Sequence, residues 1–201
     1  MAAQPPGMTD RLLGAMATSA ARRYGAERVS ELAHALQCAE LARAAGADDE
    51  LTLACLLHDV GRFAVDQTLI FDRVGGGRAG GRGHHSAPGH HSARGHHEIG
   101  ADLIAPYVTE RVAWLVRTHA DAKRYLCSTE SGYHATLSPA SQHTMTLQGG
   151  LMSPDEVTRH AAHPWLGDAL RLRRWDDQAK VVGKETAPLA VWEPLLRSRF
   201  R

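Results

Sequence analysis

Residues 46 to 62 read GADDELTLACLLHDVGR. Asp48 offers a capping carboxylate, Asp49 and Glu50 place negative charge in a first helical turn, and an apolar run follows as far as His58-Asp59, where Gly61 marks the stop. Leu51, Ala54, Cys55 and His58 fall at i, i+3, i+4 and i+7, so this helix, running to about Asp59, carries an imidazole at the end of an inward-facing stripe. Three other segments repeat the device. Ser30 caps a helix to Ala45, ended by Gly46, that bears His34, Cys38, Leu41 and Ala45 on one face. His97 to Ile104 aligns His97, Gly100, Ala101 and Ile104, and Thr109 to about His119 aligns Val112, Leu115, Val116 and His119.

Further out the pattern stays helical. Asp10 to Arg23 and Leu166 to Lys180 are predicted helices, and Ser138-Pro139 and Ser153-Pro154 each place a capping hydroxyl before a proline at the first helical position. The C-terminal TAPLAVWEPLLRSRF reads as a tail packed on the bundle. No strand pattern emerges, so the expected fold class is all-α, one domain over 1–201. Residues 75 to about 96 interrupt it: GHHSA occurs at 83–87 and again at 89–93, with no apolar residue larger than alanine apart from a proline, which predicts a flexible insertion. Its His84, His85, His90 and His91 suit adventitious metal binding.

The 201 residues are 43% hydrophobic and 22% charged, which suits a folded chain and excludes a disordered or fibrous one. Lysine and arginine number 23 against 22 acidic residues, leaving no basic field for nucleic acid or an anionic membrane surface, so the expected partner is a small molecule. Cys38, Cys55 and Cys127 form no CxxC pair, and neither a long apolar run nor a leader pattern is present, so a cytoplasmic protein is expected.

Four inward imidazoles bury many polar nitrogens, and a shared metal would satisfy one on each ring. Asp59 follows His58 directly, and Asp176 stands four residues after Leu172, again facing inward. Nitrogen and oxygen donors without thiolate suit iron, manganese or zinc, and softness alone does not choose among them.

His34, the His58-Asp59 pair and Asp176 reproduce the H…HD…D order of the HD superfamily, an all-helical group of metal-dependent proteins that are mostly phosphohydrolases. Within it the chain resembles the PhnZ-type mixed-valent di-iron oxygenases from about Tyr24 to Lys180. The strings that carry the resemblance are YGAERVSELAHALQCA, GADDELTLACLLHDVGR, HEIGADLI, ERVAWLVRTHADAKRYL, LSPASQHTMTLQGG and LRRWD. The resemblance implies an HD-domain helical bundle around two irons, one held by His34, His58, Asp59 and Asp176 and the other by His97 and His119, with Asp59 bridging. His96 is a rival to His97. It also implies Tyr24 and Glu27 as catalytic residues. The implied reaction is oxygen-dependent cleavage of the carbon–phosphorus bond of a 1-hydroxyphosphonate, with hydrogen taken from C1 and phosphate and a carboxylic acid released. A hydrolase acting on a phosphate ester through the same metals is the alternative, and a metal store built on the GHHSA repeats is a third reading.

A doubly charged phosphonate beside metals needs fixed cationic and neutral donors. Lys123 is four residues beyond His119, Arg173 three before Asp176, and Ser141, Thr144 and Gln148 recur at +3 and +4, so all five are candidate substrate-binding residues. The chain departs at one place from the family members that act on an aminated hydroxyphosphonate, reading HDVGR where they resemble HDxGH. Arg62, a permanent cation, is expected at the substrate's far end, paired with Glu27.

Overall fold

The structure, a computed structural model, describes residues 7–64 and 95–200, so the expected GHHSA insertion lies outside the described residues. Among these the chain is helical, with no strand beyond one isolated bridge between Arg23 and Ser30. The helices are α1 (Met8–Thr18), α2 (Glu31–Ala44), α3 (Asp49–Leu57), α4 (Val60–Ala64), α5 (His96–Ile104), α6 (Glu110–Thr129), α7 (Tyr133–Thr136), α8 (Pro139–Leu147), α9 (Pro154–Ala161), α10 (Leu166–Gln178) and α11 (Glu193–Arg199).

The caps read from the sequence are in place. Ser30, Asp48, Ser138 and Ser153 each accept from the backbone N–H three residues on, at 3.1, 2.9, 3.2 and 3.3 Å, supplying partners for otherwise unpaired first-turn donors. Gly46 ends α2 at φ +70°, where a side chain would be strained.

α3 differs from the expected amphipathic helix: every residue from Leu51 to Leu57 is buried. It is the central helix, packed against α2 and α6, while α10 closes over α2, α3 and α6. The helix stops at Leu57, and His58 and Asp59 occupy the turn before α4, a short helix the sequence pattern did not reveal. α1 ends at Thr18 rather than Arg23, because the hydroxyls of Thr18 and Ser19 bond back to the carbonyls of Gly14 and Met16 at 2.9 and 2.6 Å and the chain tightens into a 3₁₀ turn at Ser19–Ala21. α6 continues a further ten residues past His119. The C-terminal tail forms a 3₁₀ turn at Leu189–Val191 and α11, anchored by buried Trp192 and Leu196. The Arg43 guanidinium lies 3.7 Å over the Trp192 ring.

Candidate metal centre and anion cavity

Five elements bring six ligand-type side chains to one place. His34 comes from α2, His58 and Asp59 from the α3–α4 turn, His96 from α5, His119 from α6 and Asp176 from α10. His34, His58, Asp59, His119 and Asp176 are all at most 3% exposed.

Three of the imidazoles are oriented alike. Nδ1–H of His34 donates to Ala179 O at 2.7 Å, that of His58 to Cys55 O at 2.8 Å, and that of His119 to Val116 O at 2.8 Å. A carbonyl only accepts, so the proton of each neutral ring sits on Nδ1 and Nε2 turns its lone pair to the centre. The Nε2 atoms of His34 and His58 face each other at 3.0 Å, and those of His96 and His119 at 3.3 Å. Facing lone pairs repel unless a cation lies between them, and two imidazole nitrogens bound side by side at about 2.1 Å stand about 3 Å apart.

Asp59 stands between the two pairs. Its Oδ1 is 2.8 Å from His96 Nε2 and 3.7 Å from His119 Nε2, while its Oδ2 is 3.6 Å from His58 Nε2 and 3.9 Å from His34 Nε2. Asp176 joins the second side, with Oδ1 3.3 Å from His34 Nε2 and Oδ2 3.9 Å from His58 Nε2. Both Asp59 oxygens and Asp176 Oδ1 are buried without a hydrogen-bond partner. Orphaned buried carboxylate oxygens beside aligned imidazole lone pairs fit two metal ions sharing Asp59, of a kind that takes mixed nitrogen and oxygen donors.

The electrostatics agree. Burial pulls the His58 pKa down, but Asp59, Cys38 and Asp176 outweigh it and raise it to about 10, so the pocket's negative charge demands a positive one. Burial raises the Asp59 carboxyl and Arg62, His58 and His96 bring it well below the usual range; Asp176 is likewise held low, against burial, by Arg173 and Lys180. Burial, then the charges of Asp59 and Asp176, push the Tyr24 phenol up.

One expected ligand is corrected. The histidine that meets Asp59 and His119 is His96, not His97, whose ring centroid lies 5.8 Å from that of His119 and whose Nδ1 is buried without a partner. The two residues point about 100° apart on the helix. His96 is fixed by a backbone contact: α5 lies so close to Gly61 that a Cβ there would fall 1.9 Å from His96 O. Spacing left both open, since 96, 100, 104 and 97, 101, 104 each trace a buried face.

Tyr24 stacks on the His34 ring at 3.9 Å between centroids and 17° between planes. Beside it opens a cavity of about 180 Å³ lined in part by Tyr24, Glu27, Arg62, Ser141 and Thr144. Buried Lys123 donates to Thr144 Oγ1 at 2.9 Å and to Ser141 O at 3.2 Å. Arg173, also buried, reaches Asp176 Oδ2 at 2.7 Å and pairs with Asp177. Gln148 does not line the cavity; it caps α8, with Oε1 buried and unpartnered. The expected pairing of Arg62 with Glu27 is also corrected. Arg62 Nε lies 3.1 Å from Asp59 Oδ1 and its guanidinium 5.1 Å over the Tyr24 ring, whereas Glu27 Oε1 accepts from the Ser138 hydroxyl at 2.5 Å. Asp59, i+3 from Arg62 and fully buried, is the stronger claimant for the charge.

Lys180 was missed by sequence reasoning, although it stands four residues past Asp176, the interval that had singled out Lys123. Its Nζ donates to Ser141 Oγ at 2.9 Å.

Among known proteins, the HD domain family matches residues 32–149. A hydroxymethylphosphonate dioxygenase of Gimesia maris is 36% identical over 173 residues, 86% of this chain and 78% of its own length. A [1-hydroxy-2-(trimethylamino)ethyl]phosphonate dioxygenase (glycine-betaine-forming) of Leisingera caerulea is 30% identical over 87% of this chain and 81% of its own. The uncharacterized protein L432 of Acanthamoeba polyphaga mimivirus is 30% identical over 86% of this chain and 73% of its own. With the family's H…HD…D residues assembled around one shared carboxylate, the chain belongs to the HD-domain family and, within it, to the PhnZ-like group in which the two dioxygenases fall.

Proposed function

We propose that the protein cleaves the carbon–phosphorus bond of a small 1-hydroxyphosphonate with O₂, giving phosphate and a carboxylic acid. The observation that carries this reading is Asp59, whose two oxygens face two separate histidine pairs beside a cavity lined by Ser141 and Thr144, with buried Lys123 behind them donating to both. Two iron ions held by His34, His58, Asp59 and Asp176 and by Asp59, His96 and His119 would supply the redox chemistry. The conversion balances without an external reductant: RCH(OH)PO₃H₂ and O₂ become RCOOH and H₃PO₄, the four electrons coming from C1 and the C–P bond.

The chain's residues bind and orient. Lys123 and Arg173 supply charge to the phosphonate dianion, and Ser141 and Thr144 supply hydroxyls, so its oxygens exchange water for fixed donors. Tyr24, packed on His34, walls the metal side of the cavity and keeps water from it. Arg62, held against Asp59 and over the Tyr24 ring, lines the cavity too. A guanidinium beside the cavity disfavours an ammonium substituent, so the favoured substrate carries none on the carbon next to C1, or has no such carbon, as in hydroxymethylphosphonate.

The test is phosphate release by the iron-loaded protein from hydroxymethylphosphonate and from a phosphate ester, with and without oxygen. Release that needs oxygen and slows with deuterium at C1 is expected. Equal release under strict anaerobiosis would establish a hydrolase instead.

A further inference from the structure

Lys180 lies just beyond α10, and the backbone on both sides of it is pinned by α2. Ala179 O accepts from His34 Nδ1 at 2.7 Å. Val181 makes two hydrogen bonds with the buried Gln37 side chain, its N–H donating to Oε1 and its carbonyl accepting from Nε2, each at 3.0 Å. The segment therefore cannot swing, and the Lys180 stem runs inward with its side chain only 10% exposed.

Its ammonium stands 3.6 Å from Asp177 Oδ1 and 3.8 Å from Asp176 Oδ1, beyond hydrogen-bond reach, and gives its hydrogen bond to Ser141 Oγ instead. That choice fixes the direction of the serine. An ammonium has no lone pair, so Ser141 Oγ accepts from it and must donate its own proton elsewhere. Thr144 is already committed: it accepts from Lys123 and donates to Ser141 O at 3.1 Å. The Ser141 O–H has no acceptor among the described residues, and Ser141 lines the cavity.

We propose that Lys180 is a positioning residue of the anion site, holding Ser141 Oγ as an acceptor so that the Ser141 hydroxyl points its proton at a phosphonate or phosphate oxygen in the cavity. The inference rests on the phosphonate reading above. Cation crowding supports it: burial, Arg173 and Lys180 all push the Lys123 ammonium toward deprotonation, the condition a bound dianion relieves.

The competing role for Lys180 is that of a plain counter-ion to Asp176, and the two roles separate by experiment. Hydroxymethylphosphonate and, in a second series, inorganic phosphate are titrated calorimetrically, without oxygen, into iron-loaded wild type, Lys180→Met, Lys180→Arg, Ser141→Ala and the Lys180→Met/Ser141→Ala double variant, with iron content measured on each. Lys180→Met and Ser141→Ala should each weaken binding about tenfold or more, as for a lost hydrogen bond to a charged group. The double variant should be no weaker than either single, Lys180→Arg should recover most of the affinity, and iron content should not change. Wild-type affinity in Lys180→Met, losses that multiply in the double variant, or loss of iron from Lys180→Met alone would each overturn the proposal. A wild type that binds neither anion would instead sink the phosphonate reading itself.

Discussion

His96→Ala removes the imidazole 2.8 Å from Asp59, whereas His97→Ala removes one that touches neither carboxylate nor the His119 nitrogen. The first variant should lose the metal shared by Asp59, His96 and His119 and more activity than the ten- to hundredfold typical of outer-shell changes, while the second keeps both metals. Metal analysis of the purified variants decides between them, and two metals in His96→Ala would refute the assignment. The pair also shows where sequence reading stops. His34, His119 and Asp176 could be placed in the cluster from the sequence because each sits alone on its helical face, and the His58-Asp59 pair because it stands where the helix stops before Gly61, but adjacent histidines differ only by rotation about the helix axis, which the contact with Gly61 sets. Arg62 makes a second residue-scale test. Arg62→His removes the fixed cation beside the cavity and should shift the kcat/KM ratio toward an aminated 1-hydroxyphosphonate by about tenfold. An unchanged ratio across substrates bearing hydrogen, ammonium and trimethylammonium would show that Arg62 does not face the substituent. Lys123 adds a pH dependence. Burial, then Arg173, lowers its pKa to about 8, so in the substrate-free protein the ammonium is present below that value and lost above it. Affinity for inorganic phosphate should fall about tenfold per unit of pH above about 8. The sign for stability is opposite: between about 8 and about 10.4 the unfolded chain holds a proton the folded one has shed, so the cost of burying the ammonium diminishes as pH rises. Phosphate affinity that stays flat from pH 7 to pH 9.5 would remove Lys123 from the anion site.

At the scale of elements, the α4–α5 contact is the joint that brings His96 to Asp59. A Cβ on Gly100 would meet Gly61 N at 2.7 Å and Val60 Cγ1 at 2.8 Å, contacts that only movement of α5 can relieve. Gly100→Ala should therefore cost about 1–3 kcal/mol, as overpacking does, and lower occupancy of the metal on the His96 side while leaving the His34–His58–Asp176 side filled. Thermal denaturation and metal stoichiometry measure the two effects, and a variant with normal stability and both metals would mean the joint is looser than the distances imply. Helix starts were readable because Ser30, Asp48, Ser138 and Ser153 are chemical caps with one physical use. Helix ends were less so. α1 stops early through hydroxyl competition from Thr18 and Ser19, and α4 is a single short turn with no apolar period to betray it. The all-round burial of α3 escaped notice because the stripe carrying His58 was real but incomplete: Thr52, Leu53, Leu56 and Leu57 are buried too.

For the whole molecule, the proposed metal centre is also a clasp. Its ligands come from α2, the α3–α4 turn, α5, α6 and α10, elements that otherwise meet mainly through the apolar core around Leu51, Leu115 and Leu172. Without metal the clasp turns against the fold, because Asp59 and Asp176 are buried carboxylates with unpartnered oxygens. A metal that binds only the folded chain stabilises it by mass action, by about 2.7 kcal/mol at a free concentration a hundred times its Kd. For a domain of this size that corresponds to roughly 5–10 °C in Tm. Chelation should lower Tm by at least that much, and readdition of iron should restore it. In Asp59→Ala the dependence on metal should largely vanish, since the shared carboxylate is gone and, among the described residues, no other carboxylate oxygen lies between the two histidine pairs. A chelated wild type that melts at the same temperature as the iron-loaded protein would mean that Arg62, Arg173 and Lys180 alone neutralise the buried aspartates, and that the five elements pack without help from the centre.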